Sequence, residues 1–456
     1  MTTNMASAPT GPIPPGMDAV HVGAEDFEVT ALAELQRLAC SRVFVIANRS
    51  SASLAGSLVT ALGHKGLLAA PLCTSIGMGG GEEGLLGACD AAAAADADAV
   101  CHRGLEPQTS RPPDRSATHT FEPCLGQVVT IGGGAVHDAG KLVRLWLAAA
   151  AARKRGPTGG ASLDDIRAVT ERADLDLAPQ VCLPNSFAMA ELTSVAGATT
   201  KANVKSGAAH PALMPTVVVY DPALSAGLPD WGGLPPLEPG THPSADPLIA
   251  CSPRALAVRF GTALRGVEHA IGAVCSTSEG VSGEVVDAAL EGLRLVVRGL
   301  EGMVAEPEAR EAQLDCYRGG WMTIRALNSA GYPALAHFVQ NHYSARFNVH
   351  QGACSGILSA RILRHHAAAT VPQQARLAAA LGAPDEPAPR QLQRLVARLP
   401  SLAQEHAEVQ VTPAALREFA EWLYASHAAK LNRLSAVPFA SADALLEMLA
   451  WPLEAL

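Results

Sequence analysis

The chain has 456 residues, 48% of them apolar and only 17% charged, which leaves room for about two or three domains and excludes wholesale disorder. A formal net charge of −9 argues against a nucleic-acid partner, which needs a basic face. No uncharged apolar run reaches the ~18 residues of a membrane span, so no membrane partner is expected; the nearest case, Leu142 to Ala152, is short and contains Arg144.

Met1 to Gly16 is rich in Pro, Ser and Thr and lacks the basic and apolar regions of a secretion signal. Residues 1–20 therefore read as a disordered leader, and the chain as cytoplasmic. Residues 42–47 (Arg-Val-Phe-Val-Ile-Ala) predict a buried parallel strand that leaves through Asn48, Arg49 and Ser50. Leu54, Leu58 and Leu62 give helical spacing over 51–63, and the Ala-rich stretch 82–95 is also helical. An insertion near 103–126 precedes the strand Gln127 to Ile131, which runs directly into Gly132, Gly133 and Gly134. A helix is expected over 141–152, and a second insertion near 155–160. Strands follow over 180–183, stopped by Pro184, and over 216–220, stopped by Asp221 and Pro222. Alternating strands and helices imply an open α/β domain over 21–228.

Residues 229–253 contain seven prolines, at 229, 235, 236, 239, 243, 247 and 253, and read as a loop. Beyond them the pattern is helical throughout: 254–274, 283–304, 308–330, 333–343, 353–369, 375–381, 390–399, 413–429 and 441–456. The expected fold is an α/β N-terminal domain followed by an all-α C-terminal domain over 254–456. Sparse aromatics and abundant Ala and Gly suit close helix packing. The ten cysteines stand singly, with no Cys-x-x-Cys pair, so zinc knuckles and thioredoxin-type motifs are excluded and free thiols are expected.

Three groups of residues can carry chemistry. In Thr130-Ile-Gly-Gly-Gly-Ala-Val-His-Asp-Ala-Gly-Lys141 a strand ends, glycines turn the chain and a helix begins. Backbone N–H groups can approach a phosphate there, helped by the helix N-terminus, and Asp138 and Lys141 lie one turn apart and can face the same ligand. In Leu183-Pro-Asn-Ser-Phe-Ala-Met-Ala-Glu-Leu-Thr193, Asn185 and Ser186 sit just past a strand end, where open α/β sheets bind ligands. Glu191 is either buried or a helix-start carboxylate. The third group is histidines on apolar helical segments: His269, His337, His342 and, just before Gly352, His350. Converging imidazoles would make a proton-transfer or metal site; a single one is more often structural.

The order of these motifs resembles the iron-type (group III) alcohol dehydrogenases, which have the dehydroquinate-synthase-like fold. The order is Gly-Gly-Gly-x-x-x-Asp, Pro-x-Ser-x-x-x-x-Glu-x-Thr, Tyr-Asp-Pro, His-Ala-Ile, and Ala-His followed by Phe-Asn-Val-x-x-Gly. The likeness covers about residues 27–370, and within the family the maleylacetate reductase branch is nearest in pattern. Metal-dependent members carry an Asp four residues before the first His, then two later His. By this match His269 and His337 occupy two ligand positions, Arg265 replaces the Asp, Gln351 replaces the last His, and His350 stands where Pro is usual. Two of four ligands form an incomplete metal site, so a divalent metal such as iron or zinc is not expected.

The resemblance implies a NAD or NADP site. Gly132, Gly133 and Gly134 would hold the pyrophosphate, Asp138 would lie near the nicotinamide-side ribose or the substrate, Asn185 and Ser186 would line the nicotinamide side, and Lys205 the ribose. Asn48 belongs to the loop after the first predicted strand. That loop has no acid, and Arg49 could pair a 2′-phosphate, so both cofactors stay open. The implied activity is hydride transfer between the nicotinamide and a small keto, enoyl or hydroxy substrate. Arg265 is a fixed cation suited to a substrate carboxylate, and His269, His337 and, third, His350 are candidate proton donors. The expected partners are a small-molecule substrate and a second copy of the chain, as a homodimer. Two alternatives stand beside this reading: a lyase or aldolase-like enzyme on the same fold, and a catalytically inactive relative kept as a partner subunit.

Overall fold

The computed structural model describes residues 13–77, 80–103, 126–152, 161–202, 204–226, 253–399 and 411–450. Most of the two expected insertions and all but the last residue of the Pro-rich loop lie outside the described residues.

Five parallel strands form the N-terminal sheet: β1 (Ala19–Val22), β2 (Val43–Ala47), β3 (Gln127–Gly132), β4 (Gln180–Pro184) and, after a separate hairpin, β7 (Val217–Tyr220). Their order across the sheet is β1-β7-β4-β3-β2. The hairpin, β5 (Val195–Thr199) and β6 (Lys205–Ala209), pairs antiparallel with Gly197 opposite Gly207. Every residue of β2 is buried, as its unbroken apolar run dictates for a strand covered on both faces. Phe44 and Ile46 face a core shared with α3 (Glu82–Arg103) and α4 (Gly134–Ala152). Val43, Val45 and Ala47 face the core beneath α1 (Phe27–Arg37) and α2 (Ala52–His64).

Some elements differ from the sequence expectation. Ala19 and Val20, assigned to the leader, begin an edge strand, because Ala19 pairs with Val217 once β7 is in place. Helix α1 carries its own start signal, which the sequence reading passed over: the Asp26 side chain accepts the N–H groups of Glu28 and Val29. The β5–β6 hairpin is Ala- and Gly-rich and has no strand propensity to announce it. Helix α4 begins at Gly134, two turns before the expected Lys141. Short helices α5 (Leu163–Ala168) and α6 (Pro222–Ala226) complete this part of the chain.

The second half is helical, and no strand occurs among its described residues. Helices α7 (Pro253–Val274), α8 (Gly283–Ala305) and α9 (Arg310–Gly331) pack together. They are followed by α10 (Leu335–Phe347), α11 (Gln351–His365), α12 (Val371–Leu381), α13 (Ala388–Ala397) and helices Pro413–Leu434 and Ala442–Ala450. Their apolar faces join residues of the sheet, including Val22, Cys182, Val218 and Tyr220, in one continuous core. The cysteines described in atomic detail, Cys40, Cys73, Cys89, Cys182, Cys275, Cys316 and Cys354, form no disulfide. Among the described residues no helix is long and apolar enough to cross a membrane.

Helices α7 and α11 touch backbone to backbone. A Cβ on Gly352 would lie 2.2 Å from the carbonyl carbon of Gly261 and 2.3 Å from its oxygen. Gly56, on α2, has nothing within 4 Å of the same construction. Gly352→Ala should therefore lower stability by ~1–3 kcal/mol or more through overpacking, whereas Gly56→Ala should raise it by ~0.5–1 kcal/mol through helix propensity. Thermal melts of the two variants check this; a neutral Gly352→Ala would contradict the contact.

Candidate active-site cleft

Strand register assembles one wall. Ala47 is level with Ile131 and Ile131 with Leu183, so the residues that follow them converge at the carboxyl edge of the sheet. There the Asn48 side chain caps the next turn through Ser51 N–H at 3.1 Å and also accepts the Ser51 hydroxyl. Asn185 Nδ2 donates to Ser51 Oγ at 2.8 Å, and the Asn185 N–H donates to the Gly132 carbonyl at 3.0 Å. Gly132 has φ +155°, and a Cβ there would lie 2.8 Å from Val136 Cγ2, so only glycine fits the turn. Helix α4 then starts at Gly134, and its first N–H groups have no intrahelical acceptor.

Asp138 and Lys141 do not form a joint ligand-binding pair. Lys141 is wholly buried; its ammonium donates to the carbonyls of Ala190 (2.7 Å) and Val195 (2.8 Å) and to Thr193 Oγ1 (3.2 Å). Burial lowers its pKa, opposed by the charge of Asp138. Asp138 Oδ2 accepts the Gly197 N–H at 3.0 Å, anchoring the hairpin, and Oδ1 lies 3.4 Å from Lys141 Nζ. Glu191 proves to be buried. It accepts the Tyr220 hydroxyl at 2.7 Å, and burial raises its carboxyl to about 7.

The opposite wall is helical. Arg265 on α7 donates through Nε to the Ala188 carbonyl (3.3 Å) and through Nη1 to Gln351 Oε1 (3.0 Å), while Gln351 Nε2 donates to Asn341 Oδ1 (3.2 Å). Arg265 and Gln351, read in the sequence as replacements for two metal ligands, therefore bind each other. His350 caps α11: its Nδ1 accepts the Gly352 N–H at 3.2 Å, and burial lowers its pKa to about 4. One ring nitrogen of this candidate proton donor is thus already committed to the helix.

His269 and His337 come together, with ring centroids 5.6 Å apart. Neither nitrogen of His269 has a hydrogen-bond partner, and burial holds its pKa down at about 3. His337 is engaged on both sides. Nε2 shares a 2.6 Å hydrogen bond with the Tyr332 hydroxyl; Nδ1 lies 3.4 Å from Glu268 Oε1 and 3.2 Å from Gln340 Nε2. Glu268 is fully buried, and its Oε2 accepts Gln340 Nε2 at 2.9 Å. The Ser355 hydroxyl donates to Gln340 Oε1 at 2.6 Å. Burial pushes the Glu268 carboxyl up, but His337, with smaller help from His269 and Arg265, brings it down to about 2.

Sequence reasoning missed Glu268, Tyr332, Gln340 and Ser355. Glu268 had one readable signal, a carboxylate next to His269 on an otherwise apolar helix. A lone Tyr before a Pro had none.

Between the two walls lies a cavity of about 930 Å³. Most of the residues singled out in the sequence line it: Asn48, Gly133, Gly134, Asp138, Asn185, Ser186, Lys205, Arg265, His269, His337 and His350, together with His342 and Gln351. Gly132 sits just behind the turn. Arg49 is exposed and is not part of the cavity wall.

A parallel sheet with a glycine turn at its carboxyl edge, facing a helical domain across a cleft, is the fold of the iron-containing alcohol dehydrogenases. Iron-containing alcohol dehydrogenase from Corynebacterium glutamicum superposes with a TM-score of 0.65 at 18% identity, covering 97% of each chain. NADH-dependent butanol dehydrogenase A from Thermotoga maritima gives 0.66 at 15% identity, covering 98% of each. In sequence the chain is a relative of the maleylacetate reductases: it is 29% identical over 174 residues to maleylacetate reductase 1 of Rhodococcus opacus, a match covering 38% of this chain and 40% of that one. Against the curated relatives it matches, the chain spans between 40% and 56% of their length. No family model matches the chain.

Because the folded-state pKa of Glu191 is raised, its protonated form favours folding. That contribution is complete below the unfolded value near 4.5 and is lost as pH rises through about 7. Glu191→Gln should therefore melt with the parent chain near pH 4.5 and above it at pH 8, by roughly 1–3 kcal/mol. Parallel melting curves across that range would contradict it.

Proposed function

We propose that the chain is a NAD(P)-dependent oxidoreductase that transfers hydride between a nicotinamide cofactor and a small keto, enoyl or hydroxy substrate bearing a carboxylate. The observation that carries this is the convergence of the glycine turn, Asn185, Ser186, Arg265 and His269 on one cavity, whose volume is in the range of cofactor sites, ~300–1,000 Å³. The first-turn N–H groups of α4, with no side chain on Gly133 or Gly134, suit a pyrophosphate. Asn48, Asn185 and Ser186 would border the dinucleotide, with Asp138 and Lys205 toward the ribose. Bound nicotinamide supplies hydride chemistry. The chain's own part is to orient the substrate and place donors at its oxygen. Arg265 has its Nε and Nη1 committed, which leaves Nη2 for a substrate anion. His269, with both nitrogens unpartnered, is placed to hydrogen-bond the bound substrate. The reading keeps NAD and NADP open and expects a cytoplasmic homodimer.

It also includes no resident divalent metal. Glu268, His269 and His337 bring ligand atoms within 4.8 Å of one another. That set does not fit an ion well: Gln340 Nε2 lies 3.2 Å from His337 Nδ1, Tyr332 holds the second His337 nitrogen, and the Arg265 charge acts on both Glu268 and His269. A cation there would be repelled by the guanidinium.

Titration of the purified chain with NADH and NADPH, followed by nucleotide fluorescence, tests the cofactor. Gly133→Val, whose side chain would fill the phosphate cradle and press on Ser186 Oγ, 3.3 Å from the new Cβ, should abolish binding with the melting temperature little changed. Unchanged affinity would sink the assignment.

Elemental analysis of chain produced in iron- and zinc-supplemented medium should find well under one metal per chain. Stoichiometric metal that is lost in His269→Ala would show the metal-free reading to be wrong.

A further inference from the structure

Charge is unevenly divided across the cavity. Among the described residues, the wall built by the helical half carries two cations, Arg265 and Lys430, and no carboxylate; the acids that line the cavity, Glu82, Glu83 and Asp138, come from the sheet half. Arg265 commits its Nε and Nη1 to neutral partners. Lys430 has no hydrogen bond or ion pair among the described residues, and its Nζ lies over the Phe338 ring, 4.5 Å from the centroid. It falls beyond residues 27–370, where the sequence motifs resemble the family, and no motif pointed to it. We propose that Lys430 is a specificity-determining residue: its ammonium receives an acid group at the end of the substrate remote from the reacting carbonyl, with the His342 imidazole as a hydrogen-bonding contact beside it. This rests on the reading of the site as a NAD(P)H-dependent reductase of a carboxylate-bearing substrate, and adds to it a second anionic group and the residue that reads it.

Ring packing sets the position of the ammonium. Helix Pro413–Leu434 leaves helical geometry at His427, where φ is −140° and ψ 18°. The His427 ring stacks on His342 with centroids 4.9 Å apart and meets Phe338 edge-on at 5.4 Å. Trp422 packs edge-on against both imidazoles, at 5.5 Å and 5.8 Å. His427 and Lys430, three residues apart, share a helix face, so the cluster that docks this helix on α10 also brings Lys430 over Phe338. Phe338 and His342 are one turn apart on α10, and both line the cavity. His342 is 8% exposed, and its Nδ1 has no hydrogen-bond partner. A buried imidazole nitrogen and a half-buried ammonium, neither of them paired by the protein, thus border the same stretch of the cavity wall.

Electrostatics argues for an anion at that place. A ring face attracts an ammonium but does not neutralise it, and partial burial of an unpaired charge is costly. Burial lowers the Lys430 pKa, and the neighbouring charge that acts on it is another cation, Arg433. An acid group bound in the cavity relieves both. The two cations of the helical wall are also set apart. Arg265 reaches Gln351 at 3.0 Å, Gln351 reaches Asn341 at 3.2 Å, and Asn341 stands three residues beyond Phe338 on α10. A substrate whose first acid group meets Arg265, and whose chain runs along α10, brings its second to Lys430. The glycine turn stands on the opposite wall, which favours the substrate over the nucleotide pyrophosphate as the partner of Lys430.

The test uses the full chain, NADH or NADPH, and keto acids in matched pairs, maleylacetate first. One member of each pair has a free carboxylate remote from the carbonyl; the other has that carboxylate as its methyl ester. The wild-type chain should show a KM for the free acid ~10–100-fold below that for the ester, the range for a hydrogen bond between charged groups. Lys430→Met keeps the aliphatic stem and removes the charge. It should collapse that ratio by raising KM for the free acid, with kcat moving far less than KM and nucleotide affinity retained. Lys430→Arg should keep most of the ratio and Lys430→Glu should reverse it, whereas a purely structural lysine would shift the melting temperature and leave the ratio intact. If Lys430→Met does not fold, Lys430→Gln carries the same expectation. His342→Phe, which preserves the ring packing, should lower the ratio by a smaller factor. An unchanged ratio in the folded Lys430 variant, or a wild-type chain that does not distinguish acid from ester, would overturn the assignment and leave the functional reading standing. A loss confined to nucleotide affinity would give Lys430 to the cofactor and reject the assignment as well. A wild-type chain that binds neither nucleotide and oxidises neither with any pair would overturn the functional reading, and the role of Lys430 with it.

Discussion

A single buried ammonium ties the cleft together. Lys141 lies on α4, inside the sheet domain, with no contact to solvent. Leaving its charge unpaired there would cost several kcal/mol, so its neighbours are arranged to receive it: two carbonyls, a threonine hydroxyl and, at longer range, Asp138. Those acceptors lie between residues 190 and 195, the stretch that joins the Asn185–Ser186 loop to the β5–β6 hairpin. The same helix begins at the glycine turn and carries Asp138, which holds Gly197 of the hairpin. One charge thus sets the distance between the glycine turn, the loop that walls the cleft and the hairpin bearing Lys205.

The linkage continues across the domain boundary. Ala188, in the loop held by Lys141, accepts the Nε of Arg265, and Phe187 N–H donates to Thr262 Oγ1 on the same helix. Arg259, one and a half turns earlier on α7, is fully buried, bonds to the Pro307 carbonyl and Glu308, and also donates to the Ser225 carbonyl. Helix α7 therefore carries four charged or titratable residues into the interior, at 259, 265, 268 and 269. Three of them, Arg259, Arg265 and Glu268, bond to different neighbours and register α7 against other parts of the fold, whereas neither nitrogen of His269 has a hydrogen-bond partner. Such groups fix geometry more than they add stability, which is what a site assembled from two domains requires.

The side chains at this end of α7 are mutually consistent. Arg265 puts a positive charge near His269, and Gln351 supplies an oxygen that accepts from that same guanidinium. Glu268 adds a buried carboxylate at the next turn, and its negative charge and the positive charge of the Arg265 guanidinium offset each other.

Much of this was legible in the chain itself. The buried strands β2, β3, β4 and β7 announced themselves as apolar runs stopped by polar, Gly or Pro residues, and the long helices by their periodicity, because those signals are local. The same locality marked the glycine turn and placed Asn48, Asn185 and Ser186 just past strand ends, where strand register then brought them level. The Ala- and Gly-rich hairpin and the edge strand β1 were silent, since each depends on a partner distant in sequence. Lys141 read as a ligand-facing group because spacing shows that two residues share a helix face but cannot show which carbonyls fold over one of them. The part played by Tyr332, Gln340 and Ser355 could not be read at all: an isolated polar residue acquires a role only when packing sets it within 3 Å of another. Composition and pattern determined the two-domain architecture and most of the residues that line the cleft. Tertiary packing alone decided which of those side chains are already satisfied by the protein and which remain for a ligand, because hydrogen bonding is settled by distance in space and not by position along the chain.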